Sequence, residues 1–268
     1  MSSTYAWLAV LYAGIFLIEV VKGYHKGVHR AADVLLIASS LIGAAMLRPV
    51  LAFATAGVIG LALPAYQNSL ADMPFLLAMV MVFLIAEFMQ YMIHRAAHNQ
   101  KKHKLLYGMH RTHHSAPFVN ITIIYRTNVF WTFVHSYTWT MAAGVYLGLA
   151  GPVTVFFVTM MAWNALTHSD WRWDDALIQS VPWGEQFIRA LEWIVITPRM
   201  HHTHHGYGRD GRTYNNFCTV LSIWDRIFGT LHTPEGRPYR YGLPGGDYHW
   251  LRQSLFPLLP LGEVKKNW

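Results

Sequence analysis

The stretch PFLLAMVMVFLIAEFMQYMIHRAAH, from Pro74 to His98, decides the fold of this 268-residue chain. Its first 20 residues contain one acid and no lysine or arginine, and about 20 apolar residues are enough for a helix to cross a bilayer. The sequence therefore predicts a membrane-spanning helix over 74–93. His94 and His98 follow directly. Because residues four apart share one face of a helix, both imidazoles would point to the same side.

Four other apolar stretches extend this prediction along the chain. Tyr5–Val21 has no basic segment before it and no small-residue cleavage site after it, which favours a retained membrane helix over a signal peptide. Ala32–Tyr66 is interrupted at Arg48-Pro49, and we interpret it as one long crossing. Val129–Leu149 and Pro152–Thr167 are typical of a helical hairpin that leaves the histidine side and returns to it.

The low charge content and the positions of glycine and proline complete the predicted architecture. Charged residues make up only 13% of the chain, whereas globular proteins average about 25%. After Asp170 the sequence becomes mixed and polar, with frequent glycine and proline, which predicts a cap beside the membrane. The predicted fold class is all-α: a polytopic membrane helical bundle with a cytoplasmic histidine-rich cap. Residues 1–72 would form N-terminal transmembrane helices, and residues 73–268 the catalytic domain.

Basic residues assign the cap to one side of the membrane. Lysines and arginines are frequent around the histidines, whereas the loop over 67–73 has neither. Because cytoplasmic loops are enriched in these residues, the sequence predicts a cytoplasmic catalytic face, in a bacterial inner membrane or the endoplasmic reticulum. The net charge of +7 has the same explanation, and the chain has no nucleic-acid-binding motif. Cys218 is the single cysteine, which excludes an intrachain disulfide.

Histidines recur at the spacing expected of metal ligands. HRTHH at 110–114 places three of them at i, i+3 and i+4, and MHHTHH at 200–205 repeats that spacing. One more histidine ends the second arm of the predicted hairpin. The predicted ligands are His94, His98, His110, His113, His114, His168, His201, His204 and His205. Nine imidazoles exceed what one ion binds, so the sequence predicts two metal ions with four or five ligands each.

The remaining histidines and nearby acids receive other roles. His202 breaks the repeated spacing, so it binds metal in an alternative register, supports a ligand from behind or faces solvent, and the last two roles are favoured. Glu87 and Asp225 are among the few carboxylates near the clusters, and they would orient ligand imidazoles through the second ring nitrogen. His135 lies within a predicted span, where a functional role and simple burial both stay open. The histidines without matching spacing are interpreted as ordinary polar residues: His25, His29, His103, His232 and His249.

Four motifs carry a resemblance to a known family. They are EFMQYMIHRAAH at 87–98, HRTHHS at 110–115, TPRMHHTHH at 197–205 and WDRIFGT at 224–230. With them the chain resembles, from about residue 72 to 233, the fatty acid hydroxylase/sterol desaturase superfamily of integral-membrane di-iron proteins. The resemblance implies that the nine histidines bind two iron ions. It also adds Asn120 and Arg126, which resemble family positions near the metal site.

The same resemblance implies an activity. The family members are O2-dependent oxidoreductases that hydroxylate or desaturate lipids, so the expected substrate is a membrane lipid: a sterol, a fatty acyl chain or a related compound. The chain has no dinucleotide-binding glycine motif and no haem attachment motif. Electrons would therefore come from an external donor, a ferredoxin or a cytochrome b5-type protein.

Two alternatives stay open on the sequence. A membrane zinc-dependent hydrolase would use similar ligands, but zinc has no redox chemistry, so metal content and O2 consumption separate the two. A non-enzymatic metal-binding membrane protein, such as a transporter or sensor, would place its ligands along a membrane pathway and not in clusters on one face.

Overall fold

A computed structural model describes residues 2–263, with side chains from residue 6 onward. Over this range the chain is a helical bundle with one two-stranded antiparallel ribbon, which confirms the all-α class. Residues 264–268 of the predicted catalytic domain lie outside the described range. The helices are α1 Ser2–Val21, α2 Ala31–Ala62, α3 Phe75–Ala97, α4 Lys104–His114, α5 Trp131–Val134, α6 Ser136–Tyr146, α7 Ala150–His168, α8 Trp173–Ser180, α9 Gly184–Leu191, α10 Pro198–His205, α11 Ile223–Ile227 and α12 Trp250–Leu255; β1 is Gly206–Tyr207 and β2 is Arg240–Tyr241.

Three of the helices, α2, α3 and α7, are long and apolar enough to cross a membrane. The α2 helix continues through Pro49 as the single long helix that the sequence favours. Its 32 residues span about 48 Å, which exceeds the hydrocarbon layer of about 30 Å, so one end must project or the helix must tilt. In α1 the apolar segment Ala6–Val21 is shorter than a typical span, and its crossing of the membrane stays a prediction.

The first arm of the predicted hairpin differs from expectation. The sequence predicts one span over Val129–Leu149, but the structure divides it into the short helices α5 and α6, with His135 extended between them at φ −60° and ψ 110°. At this break the Ser136 backbone N–H and hydroxyl both donate to the Gln90 side-chain oxygen, at 3.3 and 3.0 Å. Because this N–H is bound to α3, it does not continue the helical ladder from α5.

The long helix α3 organises the molecule. It packs against α4, α6 and α7, while α2 packs against α6 and α12. A buried cluster between these helices includes Ala86, Tyr137 and Phe156, none of which is more than 2% exposed. As a result, the last turns of α3 and α7 lie beside α4 and α10, and all four helices contribute histidines.

Candidate metal centre

The structure brings all nine sequence-predicted imidazoles together in two groups. The five-histidine group consists of His94, His98, His110, His114 and His204. The four-histidine group consists of His113, His168, His201 and His205. In each group, one ring nitrogen per residue lies within 4.8 Å of every other. The helical repeat explains the arrangement, because the i, i+3 and i+4 positions of α4 and α10 lie on one face.

The distances between ring nitrogens suit a shared metal ion. The Nε2 atoms of His204 and His94 are 3.1 Å apart in the five-histidine group. In the four-histidine group the Nε2 atoms of His201 and His168 are 2.8 Å apart. Two nitrogens that bind one ion at about 2.1 Å and at a right angle lie about 3.0 Å from each other. The observed separations therefore match neighbouring ligands of a single ion in each group.

Hydrogen bonds on the far side of the rings decide where the protons are. His94 Nδ1 donates to the Phe217 carbonyl at 2.6 Å, and His204 Nδ1 donates to the Asn215 carbonyl at 2.7 Å. A carbonyl oxygen only accepts, so each neutral ring carries its proton on Nδ1 and a lone pair on Nε2. The two lone pairs then face each other with no proton between them. A cation is the partner that this arrangement needs.

The four-histidine group has the same construction. His113 Nδ1 donates to the Ile123 carbonyl at 3.1 Å, and His168 Nδ1 donates to the Asn164 carbonyl at 2.9 Å. Their Nε2 atoms are 3.2 Å apart. The sequence predicts carboxylates behind the imidazoles, but backbone carbonyls accept these four hydrogen bonds. Each group also lacks a carboxylate of its own within residues 2–263.

The ring of His114 also indicates a metal site. Both of its ring nitrogens are buried, and neither has a hydrogen-bond partner in the described part of the chain. A buried polar atom without a partner carries a desolvation penalty. Coordination through one nitrogen would remove part of that penalty. The residues present therefore fit two metal ions bound by neutral imidazoles.

Glu87 and Asp225 support the ligand rings indirectly, by accepting hydrogen bonds from the backbone of the loop 217–221. Asp225 accepts hydrogen bonds from the Phe217 and Cys218 backbone N–H groups at 2.9 and 2.8 Å. Glu87 accepts from three consecutive N–H groups of the same loop, including that of Val220 at 2.8 Å. The two carboxylates thereby fix the loop whose Phe217 carbonyl holds His94 in orientation.

Arg126 supports the end of α4. Its wholly buried guanidinium donates to the Thr112 carbonyl and, at 2.9 Å, to the Ser115 hydroxyl. It also forms ion pairs with Asp33 at 2.9 Å and Asp247 at 3.2 Å. Because Thr112 lies between His110 and His113 in the sequence, Arg126 fixes the helical turn that carries ligands of both groups.

Asn120 and His202 have local structural contacts. The Asn120 side-chain oxygen accepts from the Thr122 N–H at 3.1 Å and begins the 3₁₀ turn Ile121–Tyr125, whose Ile123 carbonyl binds His113. His202 is buried and belongs to neither group. Its ring nitrogens contact the Ser169 carbonyl and the Tyr241 hydroxyl, both at 3.1 Å. Of the three sequence alternatives for His202, the solvent-facing one is wrong, and His202 lies outside both histidine groups.

Three supporting residues were not predicted from the sequence. Asp33 and Asp247 are the partners of Arg126, and Glu19 accepts from the backbone N–H groups of Ile121 and Asp170. Glu19 also pairs with His25 at 2.9 Å, so this histidine, interpreted from the sequence as an ordinary polar residue, has a specific partner. The sequence does mark Glu19 as a candidate for a buried role, because it is the one acid in an apolar helix.

Burial keeps the ligand imidazoles neutral. Desolvation, and after it the neighbouring His94 ring, lowers the pKa of His204 well below its ordinary value. Desolvation and the ring of His205 have the same effect on the pKa of His114. The rings therefore keep their lone pairs available at neutral pH.

These lowered pKa values predict acid sensitivity of the metal-free protein. The unfolded chain takes up protons on these histidines near pH 6.5, roughly their ordinary pKa, whereas the folded chain does not. The stabilisation is thus present above about pH 6.5 and is lost as the pH falls through the depressed folded pKa values. We expect the melting temperature of chelator-treated protein to fall steadily between about pH 7 and pH 5. A melting temperature constant over this range would contradict the burial of neutral rings.

A cavity of about 970 Å³ leads to both histidine groups. His110 and His113 line it together with the apolar side chains of Phe53, Met141 and Val145. The walls come mainly from α2, α6 and α7, which are rich in apolar residues, so the cavity suits an apolar molecule.

Comparisons with known proteins give concordant matches. The family profile described as fatty acid hydroxylase matches residues 79–230, more than half of the chain. Alkylglycerol monooxygenase from Xenopus tropicalis is 32% identical over 167 residues, covering 61% of this chain and 32% of the relative. Ornithine lipid hydroxylase OlsE from Rhizobium tropici is 30% identical over 166 residues, covering 60% of this chain and 44% of the relative.

The matched region is only part of several relatives. The human alkylglycerol monooxygenase is 31% identical over 161 residues, again 60% of this chain and 32% of the relative. The chain thus spans about a third of the length of the curated alkylglycerol monooxygenases that it matches. No solved structure matches the chain.

Proposed function

Because this chain belongs to the fatty acid hydroxylase family, we propose that it is an integral-membrane enzyme that uses two iron ions and O2 to hydroxylate a membrane lipid. The observation that carries the proposal is that imidazole lone pairs face each other in both histidine groups, beside a largely apolar cavity. Ions held by these groups would lie beside the cavity, within reach of a hydrocarbon chain bound in it.

The donor set supports iron over zinc. The five-histidine group offers one nitrogen more than a tetrahedral zinc site uses. Imidazoles bind iron well, and neutral donors leave the charge of the ion uncompensated. When bound, the two irons would supply activation of O2 for attack on an unactivated C–H bond, which acid–base side chains do not achieve.

The chain's own residues would orient both the ions and the substrate. The carbonyls of Phe217, Asn215, Ile123 and Asn164 fix the rings to which they are bonded. The cavity walls exclude water and receive a lipid chain. The cavity volume of about 970 Å³ is at the upper end of the range for pockets that hold small molecules. A chain in this cavity would present its C–H bonds to the imidazole-lined end.

Relatives favour hydroxylation as the reaction. Both alkylglycerol monooxygenase and ornithine lipid hydroxylase are named for the insertion of oxygen into lipids. We therefore place this chain's substrate among lipids and its product among hydroxylated lipids, with desaturation as the alternative outcome. The two-part division of the chain at residues 72 and 73 belongs to the same proposal, with the catalytic part C-terminal.

The proposed topology determines on which side of the membrane an electron donor would bind. We propose that the chain crosses the membrane several times and that the histidine cap is cytoplasmic, because Lys101, Lys102 and Lys104 lie beside it. An acidic external donor, a ferredoxin or a cytochrome b5-type protein, would then be attracted to this basic face.

Lipid mass spectrometry tests the proposed function. Membranes that contain the protein are expected to accumulate lipids with one added oxygen atom, whereas membranes with His110→Ala are not, since His110 lies in the five-histidine group. Metal analysis of the purified protein is expected to find two irons per chain. Loss of two hydrogens in place of oxygen gain would indicate a desaturase. An unchanged lipid profile, or zinc without O2 consumption, would refute the proposal.

A further inference from the structure

Arg48 occupies an unusual position for a charged residue. It lies well inside α2, one of the helices long and apolar enough to span a membrane. It is also the one lysine, arginine or carboxylate among the described residues that line the cavity. An arginine at membrane depth is costly to desolvate, and such residues usually bind something or face water. More than a third of Arg48 is exposed in the described structure, and the residue lines the cavity, so its charge is accessible to an anion there.

The protein itself does not supply that anion. Within residues 2–263 the Arg48 side chain has no hydrogen bond and no ion pair, and the groups that its charge acts on most are the tyrosines Tyr12 and Tyr125. Tyrosines are uncharged at neutral pH. The buried arginines Arg126 and Arg199, by contrast, are paired with carboxylates at 2.9 and 2.6 Å.

Two neighbouring polar groups are also unpaired. The Thr132 hydroxyl is buried without a hydrogen-bond partner in the described chain, and Thr132 lines the cavity. His135, three residues later, lines the same cavity, and its ring has no hydrogen bond within the described residues. Its side chain is half-buried, and Arg48 lines the same cavity. Together they offer one permanent cation and two further hydrogen-bond donors.

We propose that Arg48, Thr132 and His135 bind the anionic head group, a carboxylate or a phosphate, of the lipid that occupies the cavity. The proposal deepens and rests on the proposed function, because it names the class of substrate. Arg48, histidines of both groups and apolar residues such as Phe53 and Val145 all line this one cavity, so an anion at Arg48 would share it with the hydrocarbon chain. The substrate class is therefore an acyl or alkyl lipid that carries a negative charge on its head group.

Binding of matched lipids tests this assignment without a turnover assay. Purified metal-loaded protein in neutral detergent is titrated with monooleoylglycerol, with its phosphate ester and with oleate, and the fluorescence of Trp131 and the other tryptophans is followed, since Trp131 lines the cavity. Arg48→Met is expected to weaken binding of the two anionic lipids by about 10- to 100-fold and to leave monooleoylglycerol nearly unchanged. Arg48→Lys is expected to retain part of the affinity.

Controls separate this site from general effects. Lys22→Met removes an exposed cation outside the cavity and is expected to change none of the affinities. The iron content of Arg48→Met is expected to equal that of the wild type, which shows that the variant is folded. Inorganic phosphate is expected not to compete with oleate, since the hydrocarbon chain contributes to binding.

Several results would overturn the proposal. Equal losses for neutral and anionic lipids in Arg48→Met, or no loss for either, would show that Arg48 does not bind an anion. Full competition by inorganic phosphate would indicate a site for free anions. If charge-selective binding is found but no lipid is oxidised, the proposed function fails while this site stands. If lipids are oxidised without charge selectivity, only this inference fails.

Discussion

Replacing His204 with alanine is expected to remove one of the two irons and to reduce lipid oxidation by at least about a hundredfold. The ring of His204 belongs to the five-histidine group, and its Nε2 faces that of His94 at 3.1 Å. Its orientation is fixed by the hydrogen bond from Nδ1 to the Asn215 carbonyl at 2.7 Å. Metal analysis and product formation on the same purified sample measure both effects.

The two histidine groups should lose their ions separately. His205→Ala removes a ligand of the four-histidine group, in which the His205 and His201 Nε2 atoms are 3.1 Å apart. We expect each single variant to keep about one iron, because the ligand sets share no residue. Activity is expected to be lost in both, since the proposed reaction uses both ions. A variant that loses both irons would show that the groups are coupled.

His232→Ala is the matched control for both variants. His232 belongs to neither histidine group and is partly exposed. It is expected to retain two irons and most of the activity. Equal loss of iron in His232→Ala and His204→Ala would mean that the boundary of the ligand set is wrong.

Helical spacing made the histidine groups predictable from the sequence. A histidine at i, i+3 and i+4 must lie on one face once the segment is helical, and α4 and α10 are helical over those residues. The apolar run in α3 was equally informative, because its length alone predicts a span. These features depend on residues close together in the chain.

Long-range partners were not predictable in this way. The break at His135 depends on Gln90, which binds Ser136 from 46 residues away. The hydrogen bonds that orient the rings end on backbone carbonyls, and no residue type marks such a carbonyl in a sequence. One long crossing through Arg48 and Pro49 was predicted, and α2 does continue through both, but the contact of Arg48 with the cavity was not foreseen. A single charge within an apolar run was the signal for its position in the cavity.

Replacing Arg126 with methionine is expected to destabilise the folded protein by about 1–3 kcal/mol, because it removes the fully buried partner of Asp33 and Asp247 and leaves them paired with the more exposed Arg30. Asp33 and Arg126 are both fully buried, and Asp247 is nearly so. Unfolding in detergent, followed by circular dichroism, measures the loss. Arg189→Met is the control: its pair with Glu185 is more than a third exposed on both sides, so a change below about 1 kcal/mol is expected.

Removing the charges of Arg126, Asp33 and Asp247 together should separate the two roles of Arg126, which are balancing the carboxylates and holding the end of α4. Neutral amides at Asp33→Asn and Asp247→Asn no longer need the guanidinium, so adding both to Arg126→Met should recover part of the lost stability, although Arg30 then also loses its two carboxylate partners. The Thr112 carbonyl and the Ser115 hydroxyl still lack their donor in that triple variant. Since Thr112 lies in the turn that carries ligands of both groups, we expect the iron content to remain below two per chain. Full recovery of iron together with stability would limit Arg126 to balancing the two carboxylates, with no part in holding α4.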